Sequence, residues 1–301
     1  MADTSGEADI RGINIDKLAR GFADEDNVFK RFVRMEKTTS RDIRWYQKTS
    51  GFLDTTDTTG ITKTWIQPMA FGARPYVIEQ SWTRNTSYVK KFFVESPWIS
   101  IEDIKDNDVN LLATNVRDIR RAVDRKVDLR IFSVLNEAAA ATPTIPNPTL
   151  VNTTAATADG WNDPATGNPI KDLLTGKRKI RQQGYNPVGA IVSMNSIEEE
   201  FLIDYLINVK GSSIPGFSSE LIKSSSIMGM LGLNFMTTEN QTTDYVTMWV
   251  PSQAAAWKSF INSETKIMDD PGIAKKIRTW EEGECILTDP GAVHVTTDTT
   301  V

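Results

Sequence analysis

A chain of 301 residues, 40% hydrophobic and 24% charged, carries enough material for one or two domains around a substantial core. Its formal net charge of −5 excludes a protein whose task is to grip nucleic acid through a basic surface, though not one that encloses it. The single cysteine, Cys285, excludes an internal disulfide and a cysteine metal cluster and fits a reducing cytosol. A mean hydropathy of −0.32, no apolar run of membrane-spanning length and no signal-like N-terminus predict a soluble globular protein.

The first forty residues alternate charge with weak helical pieces. Ile10, Ile13, Ile15 and Leu18 precede Gly21, and Phe29, Phe32 and Val33 mark a short amphipathic turn. Such a segment buries too little apolar surface to fold alone and is expected to lie against something else, such as another subunit. From Asp42 onwards the signals become extended. IRWYQKT (43–49) and ITKTWIQP (61–68) are β-rich, and the polar GFLDTTDTTG between them predicts the tip of a long hairpin. Its arms carry Trp45, Tyr46, Trp65 and Ile66, which need cover from the same chain or from a neighbour. TSYVKKFFVESPWISI (86–101) predicts another strand leading towards a helix.

That helix is the chain's most regular stretch. Leu112, Val116, Ile119, Val123, Val127, Ile131 and Leu135 recur at steps of three and four through residues 110–137. They form one apolar stripe on a helix of about seven turns, roughly 40 Å long. Asp106 and Asp108 are its candidate N-caps, and it ends where Ala138–Ala141 meets Pro143, Pro146 and Pro148. The other face carries Arg117, Asp118, Arg120, Arg121, Asp124, Arg125, Lys126, Asp128 and Arg130. Arg120 with Asp124 and Asp118 with Arg121 are spaced for ion pairs.

Residues 138–167, rich in Ala, Thr, Asn and Pro, predict a boundary or an extended surface loop. Next, Asn168 and Pro169 predict an N-cap and first turn for a helix whose apolar face is Ile170, Leu173, Leu174 and Ile180 and which stops at Gly184. VGAIVSM (188–194) predicts a buried strand. Asn195 with Glu198 predicts a capping box for a helix bearing Phe201, Leu202, Tyr205 and Leu206. Residues 228–240 and 244–251 predict two more strands, followed by a short 252–260 segment. KIRTWEEGECILTDPGAVHVTT (276–297) alternates in β fashion around a turn at Asp289–Gly291.

Motifs for catalysis fail on inspection. His294 is the only histidine and no nucleophile elbow exists, which leaves little room for a Ser-His-Asp triad or a zinc site. Gly176-Lys177 resembles the end of a phosphate loop, but Lys171 stands where the first glycine is needed and Arg178 where Ser or Thr is needed. Residues 106–110 imitate the start of a calcium loop, yet Leu111 and Arg117 occupy its Gly and Glu positions. Glu281 and Glu282 are adjacent on a strand and point to opposite faces. No catalytic centre, cofactor or metal is expected, and the chain is read as no enzyme.

The order of elements resembles the major capsid proteins of tailed double-stranded DNA viruses, the Hong Kong 97-like fold. The stretch from Ser87 to Leu135 is similar to that family's strand, acidic step and spine helix. GYNPVGAIVSMNSIEEEFLIDYL (184–206) is similar to its strand and Asn-capped helix, and EGECILTDPGAVHVTT (282–297) to its closing strands. Asn136–Glu137 stands where the family often has a Gly, and a long N-terminal scaffolding region is missing. The resemblance implies an α+β fold with four parts. Residues 1–40 would be an N-terminal arm, 41–83 an extended E-loop, 84–138 with 262–301 a peripheral P-domain, and 139–261 an axial A-domain. It implies self-assembly into hexamers and pentamers of an icosahedral shell around double-stranded DNA, without specific DNA binding. It also implies a virion location after assembly in the host cytoplasm, and scaffold, portal and decoration proteins as partners. The same fold serves encapsulin-type nanocompartments, and an α/β enzyme built on 168–260 is the other alternative. Trp45, Tyr46, Trp65, Ile66, Arg121 and Arg125 are the candidate subunit contacts.

Overall fold

The computed structural model describes residues 29–50, 53–54, 63–64, 70–74, 81–106, 111–136, 152–156, 160–163, 166–206 and 231–300. A 3-10 turn at Phe29–Arg31 precedes β1 (Arg34–Lys37), β2 (Asp42–Ser50), β3 (Leu53–Asp54), β4 (Lys63–Thr64), β5 (Ser81–Tyr88), β6 (Lys90–Glu95) and β7 (Ile99–Ser100). Next come α1 (Ile101–Asp106), α2 (Leu111–Asn136), β8 (Asn152–Ala155), α3 (Pro169–Gln182), β9 (Ile191–Met194) and α4 (Ser196–Asp204). The last elements are β10 (Asn234–Thr237), β11 (Tyr245–Trp249), β12 (Ala255–Asp270), β13 (Ala274–Leu287) and β14 (Val293–Thr297). One sheet runs β1-β12-β13-β6, with β7 also on β13, and a second runs β10-β9-β11-β14-β8. β2 pairs with β5, and β3 with β4, as separate two-stranded ribbons.

The apolar stripe of α2 sinks progressively into the protein. Leu112, Val116 and Ile119 are half-buried, whereas Val123, Val127, Ile131 and Leu135 are buried. From Val127 onwards the helix joins a continuous core with Ile191 and Met194 of β9, Trp249 of β11, Trp257 of β12 and Leu287 of β13. Both sheets thus share one apolar interior. Within it Phe29 is fully buried, its ring centroid 5.4 Å from that of Phe132 and 5.8 Å from that of Trp249. Burial of that side chain alone is worth about 1.5–3 kcal/mol.

Several expectations meet the structure differently. The turn at 29–33 packs on its own chain, and β1 adds a parallel strand to β12, with Arg34 opposite Ala256. The wide partner of β2 is β5, in a register that sets Trp45 opposite Asn85, while Leu53, expected in the tip, pairs antiparallel with Thr64. The single strand expected over 86–101 is divided at Val89, whose N–H donates to Arg41 O. Asp106 closes the short α1, and Asp108 lies outside the described residues. The bridge at 138–167 hides β8, a polar edge strand parallel to β14 that only tertiary pairing reveals. Asn195 caps α4 through the N–H of Ile197, but Glu198 turns away from a capping box and accepts from the N–H of Asp244 at 2.6 Å. The boundary expected at 261/262 falls inside β12, which is 16 residues long because β13 pairs with it along almost its whole length. β14 joins the second sheet by pairing with β11.

Two residues expected on the solvated face of α2 point inward. Asp128 is fully buried and accepts from the N–H groups of Phe29 at 2.8 Å and Lys30 at 2.9 Å. Arg130 holds the buried Glu284 at 2.6 Å. Asp128→Ala should therefore cost about 1.5–3 kcal/mol, the range for hydrogen bonds to a charged group, with the buried N–H of Phe29 and the half-buried N–H of Lys30 losing their acceptor. Urea unfolding reads this as a lower midpoint at unchanged slope, and an unchanged midpoint would show that the turn at 29–31 is held by packing alone.

Candidate assembly surface

Among the described residues, the groups that catalysis would need stand apart from one another. His294 is buried in β14, with Nε2 3.1 Å from Thr154 Oγ1. Its ring lies so close to Gly176 of α3 that a Cβ there would sit 2.7 Å from Nδ1. Gly176 is thus a packing glycine. Burial first, and the Lys179 charge second, bring the imidazole down to about 4 from 6.5. Cys285 is buried, and that burial raises its thiol far above the ordinary range. Glu281 and Glu282 serve different cations, Lys30 at 2.7 Å and Lys91 at 3.5 Å. Among the described residues no group of acidic, cysteine or histidine side chains is arranged to hold a metal. No described helix is long and apolar enough to cross a membrane.

What the surface does offer is a two-faced ribbon. Opposite residues in an antiparallel pair share a face. The register of β2 and β5 therefore puts Ile43, Trp45, Asn85 and Ser87 on one side and Asp42, Arg44, Tyr46, Trp82, Arg84, Thr86 and Tyr88 on the other. The first side faces the protein. Ile43 packs with Ala256 and Ile286, and Trp45 lies against that cluster and donates its indole N–H to Leu287 O at 3.0 Å. The second side is open, with Tyr46 62%, Trp82 56% and Tyr88 68% exposed. Among the candidate contacts, then, Trp45 uses its described cover on its own chain, and Tyr46 is free to be covered by another. Trp65 and Ile66 lie outside the described residues. The aromatic Trp82 and Tyr88 were missed because their face becomes visible only once the partner of β2 is known.

The two arginines of α2 also separate. Arg125 donates from Nε to Asn240 Oδ1 at 2.9 Å, which ties the helix to the turn between β10 and β11. Arg121 makes no ion pair among the described residues, while Arg120 pairs with Asp124 at 4.0 Å as its spacing predicts. Asp118 takes Arg117 at 3.0 Å in place of Arg121.

No known protein-family profile matches the chain, and no curated protein matches it. Solved structures do. A structure from Mycobacterium phage Che8 matches at TM-score 0.65 and 14% identity, over 94% of this chain and 95% of that one. The capsid structure of the cyanophage P-SCSP1u matches at TM-score 0.65 and 8% identity, over 95% and 93%. The asymmetric unit of the mature capsid of bacteriophage PhiM1 matches at TM-score 0.64 and 12% identity, over 93% and 89%. The α+β fold of this chain is that of tailed-phage capsid proteins.

Two outcomes follow from the placements above. Trp45→Ala should destabilise the isolated chain by about 1.5–3 kcal/mol, whereas Tyr46→Ala should stay within about 0.5 kcal/mol of the parent. Equal effects in thermal unfolding would overturn the two-faced reading of the ribbon. For His294 the folded pKa lies below the unfolded one, so the unfolded chain takes up the proton first. Its contribution is complete above about 6.5 and is lost as pH falls towards about 4, up to about 3 kcal/mol. His294→Gln should flatten that part of the stability–pH curve, and a slope unchanged by the substitution would assign it to other groups.

Proposed function

We propose that the chain is a major capsid protein that assembles as hexamers and pentamers into an icosahedral shell around double-stranded DNA. The observation that carries this reading is a shared fold over nearly the whole of this chain and of the capsid structures it matches. The open aromatic face of the ribbon supports it, because a compact monomer has no use for three large exposed rings on one strand pair. Closed symmetry lets modest contacts add up to a stable shell. A net charge of −5 suits a wall that encloses DNA without gripping it.

In this reading residues 1–40 act as an arm and 41–83 as an extended loop. The first sheet with α2 forms the peripheral part, and the second sheet with α3 and α4 forms the axial part. Tyr46, Trp65, Ile66, Arg121 and Arg125 stand at subunit boundaries, and scaffold, portal and decoration proteins complete the particle in the host cytoplasm.

The purified chain, alone or with its scaffold, should sediment as capsomers or shells and show them in negative stain. Monomer or dimer under both conditions would refute the proposal, and shells filled with protein instead of nucleic acid would refute its DNA half. Arg121→Glu combined with Arg125→Glu should leave the fold in place, at a cost of about 1 kcal/mol for the lost Asn240 bond. Assembly yield should fall, and a yield equal to the parent's across a salt series would remove the helix from the interface.

A further inference from the structure

Two helices of the second sheet present opposite charge, a basic exposed stripe on α3 and an acidic groove on α4. On α3 the exposed residues are Lys171, Leu174, Arg178 and Arg181, spaced by three, four and three so that they form one line. Leu174 is 47% exposed in the middle of that basic line. On α4 a groove is lined by Asn162, Glu199, Glu200, Phe201 and Ile203, and beside it Ile197 is 41% exposed. One stripe is basic with an apolar centre. The other is acidic with an apolar floor.

Other charges on this protein pair within the chain, such as Arg117 with Asp118 and Glu95 with Lys276 and Arg278. Among the described residues, Lys171, Arg178, Arg181, Glu199 and Glu200 form no ion pair. The two helices also sit towards opposite edges of the sheet. α3 packs on β14 and the edge strand β8, and α4 packs on β9, next to the other edge strand β10. Two complementary stripes placed this way suit two copies side by side.

We infer that the α3 stripe of one copy docks on the α4 groove of the next, Lys171, Arg178 and Arg181 facing Glu199 and Glu200 around Leu174. The occupant is a second copy of this chain, and the inference rests on the capsid reading. Such a contact joins two different patches, so rotation repeats it and closes a ring. It also fixes the direction in which copies follow one another, because a reversed neighbour would set like charges together.

Charge reversal tests this with the full chain. Glu199→Lys with Glu200→Lys forms one variant, and Lys171→Glu with Arg178→Glu and Arg181→Glu forms the other. Each alone should unfold like the parent and lose assembled material roughly tenfold or more, since like charges then meet at every contact. All five changes in one chain should restore assembly. A mixture of the two variants should restore only even-membered rings, in which they alternate, and native mass spectrometry distinguishes these from five-membered ones. Parent-like assembly by both variants would overturn the inference and leave the capsid reading standing. A parent chain that never assembles would refute that reading itself. A groove variant that assembles normally but unfolds at a lower temperature as a monomer would show the groove covered by its own chain, which also overturns the inference.

Discussion

The structure depends on the neutralisation of three carboxylates buried between α2 and β13. Asp128, Glu281 and Glu284 are each at most 1% exposed, and a buried carboxylate without partners is among the costliest groups a fold can hold. Two stretches of chain answer them. Asp128 takes two backbone N–H groups from the turn at 29–31, Glu281 takes Lys30 from the same turn, and Glu284 takes Arg130 from the helix. Lys30 also lies 5.9 Å over the ring of Trp257. The charges thus join the start of the described chain, its long helix and a late strand into one unit. Glu284 is also 3.9 Å from Lys90, which brings β6 into the same cluster.

Close approach sets a second condition on the same region. A Cβ on Gly283 would meet Trp257 at 2.5 Å and the carbonyl oxygen of Lys258 at 2.9 Å. The fully buried indole of Trp257 occupies the space that any larger residue at 283 would need. This is why the alternating tail of the sequence contains a glycine in the middle of a buried strand.

Periodicity revealed what local chemistry dictates. The stripe of α2 and the Asn168–Pro169 start of α3 are written in adjacent residues, and the structure reproduces both. Pairing partners were less legible. β8 reads Asn-Thr-Thr-Ala, with no apolar alternation, and is a strand only because β14 lies beside it. β12 reads as a short piece because its outer half, from Asn262 onwards, is largely exposed and held by β13 alone. Asp128 and Arg130 looked like surface charges, since nothing in a helix sequence says which charged positions a distant carboxylate or N–H group will claim. The open face of the ribbon was half visible. Tyr46 could be named from its own strand, but Trp82 and Tyr88 needed the register with β5.

The parallel pairing of β1 with β12 has a consequence for how the chain folds. Glu36 meets Lys258 across a separation of 222 positions, so the strand made first at this edge waits for one made almost last. Loop-closure entropy opposes such a contact until much of the chain between is ordered, and topologies of this kind fold slowly. During synthesis the first sheet cannot be completed on partial chains, however well their helices form. A chain that stops short of residue 259 therefore leaves β1 without the full length of its partner strand.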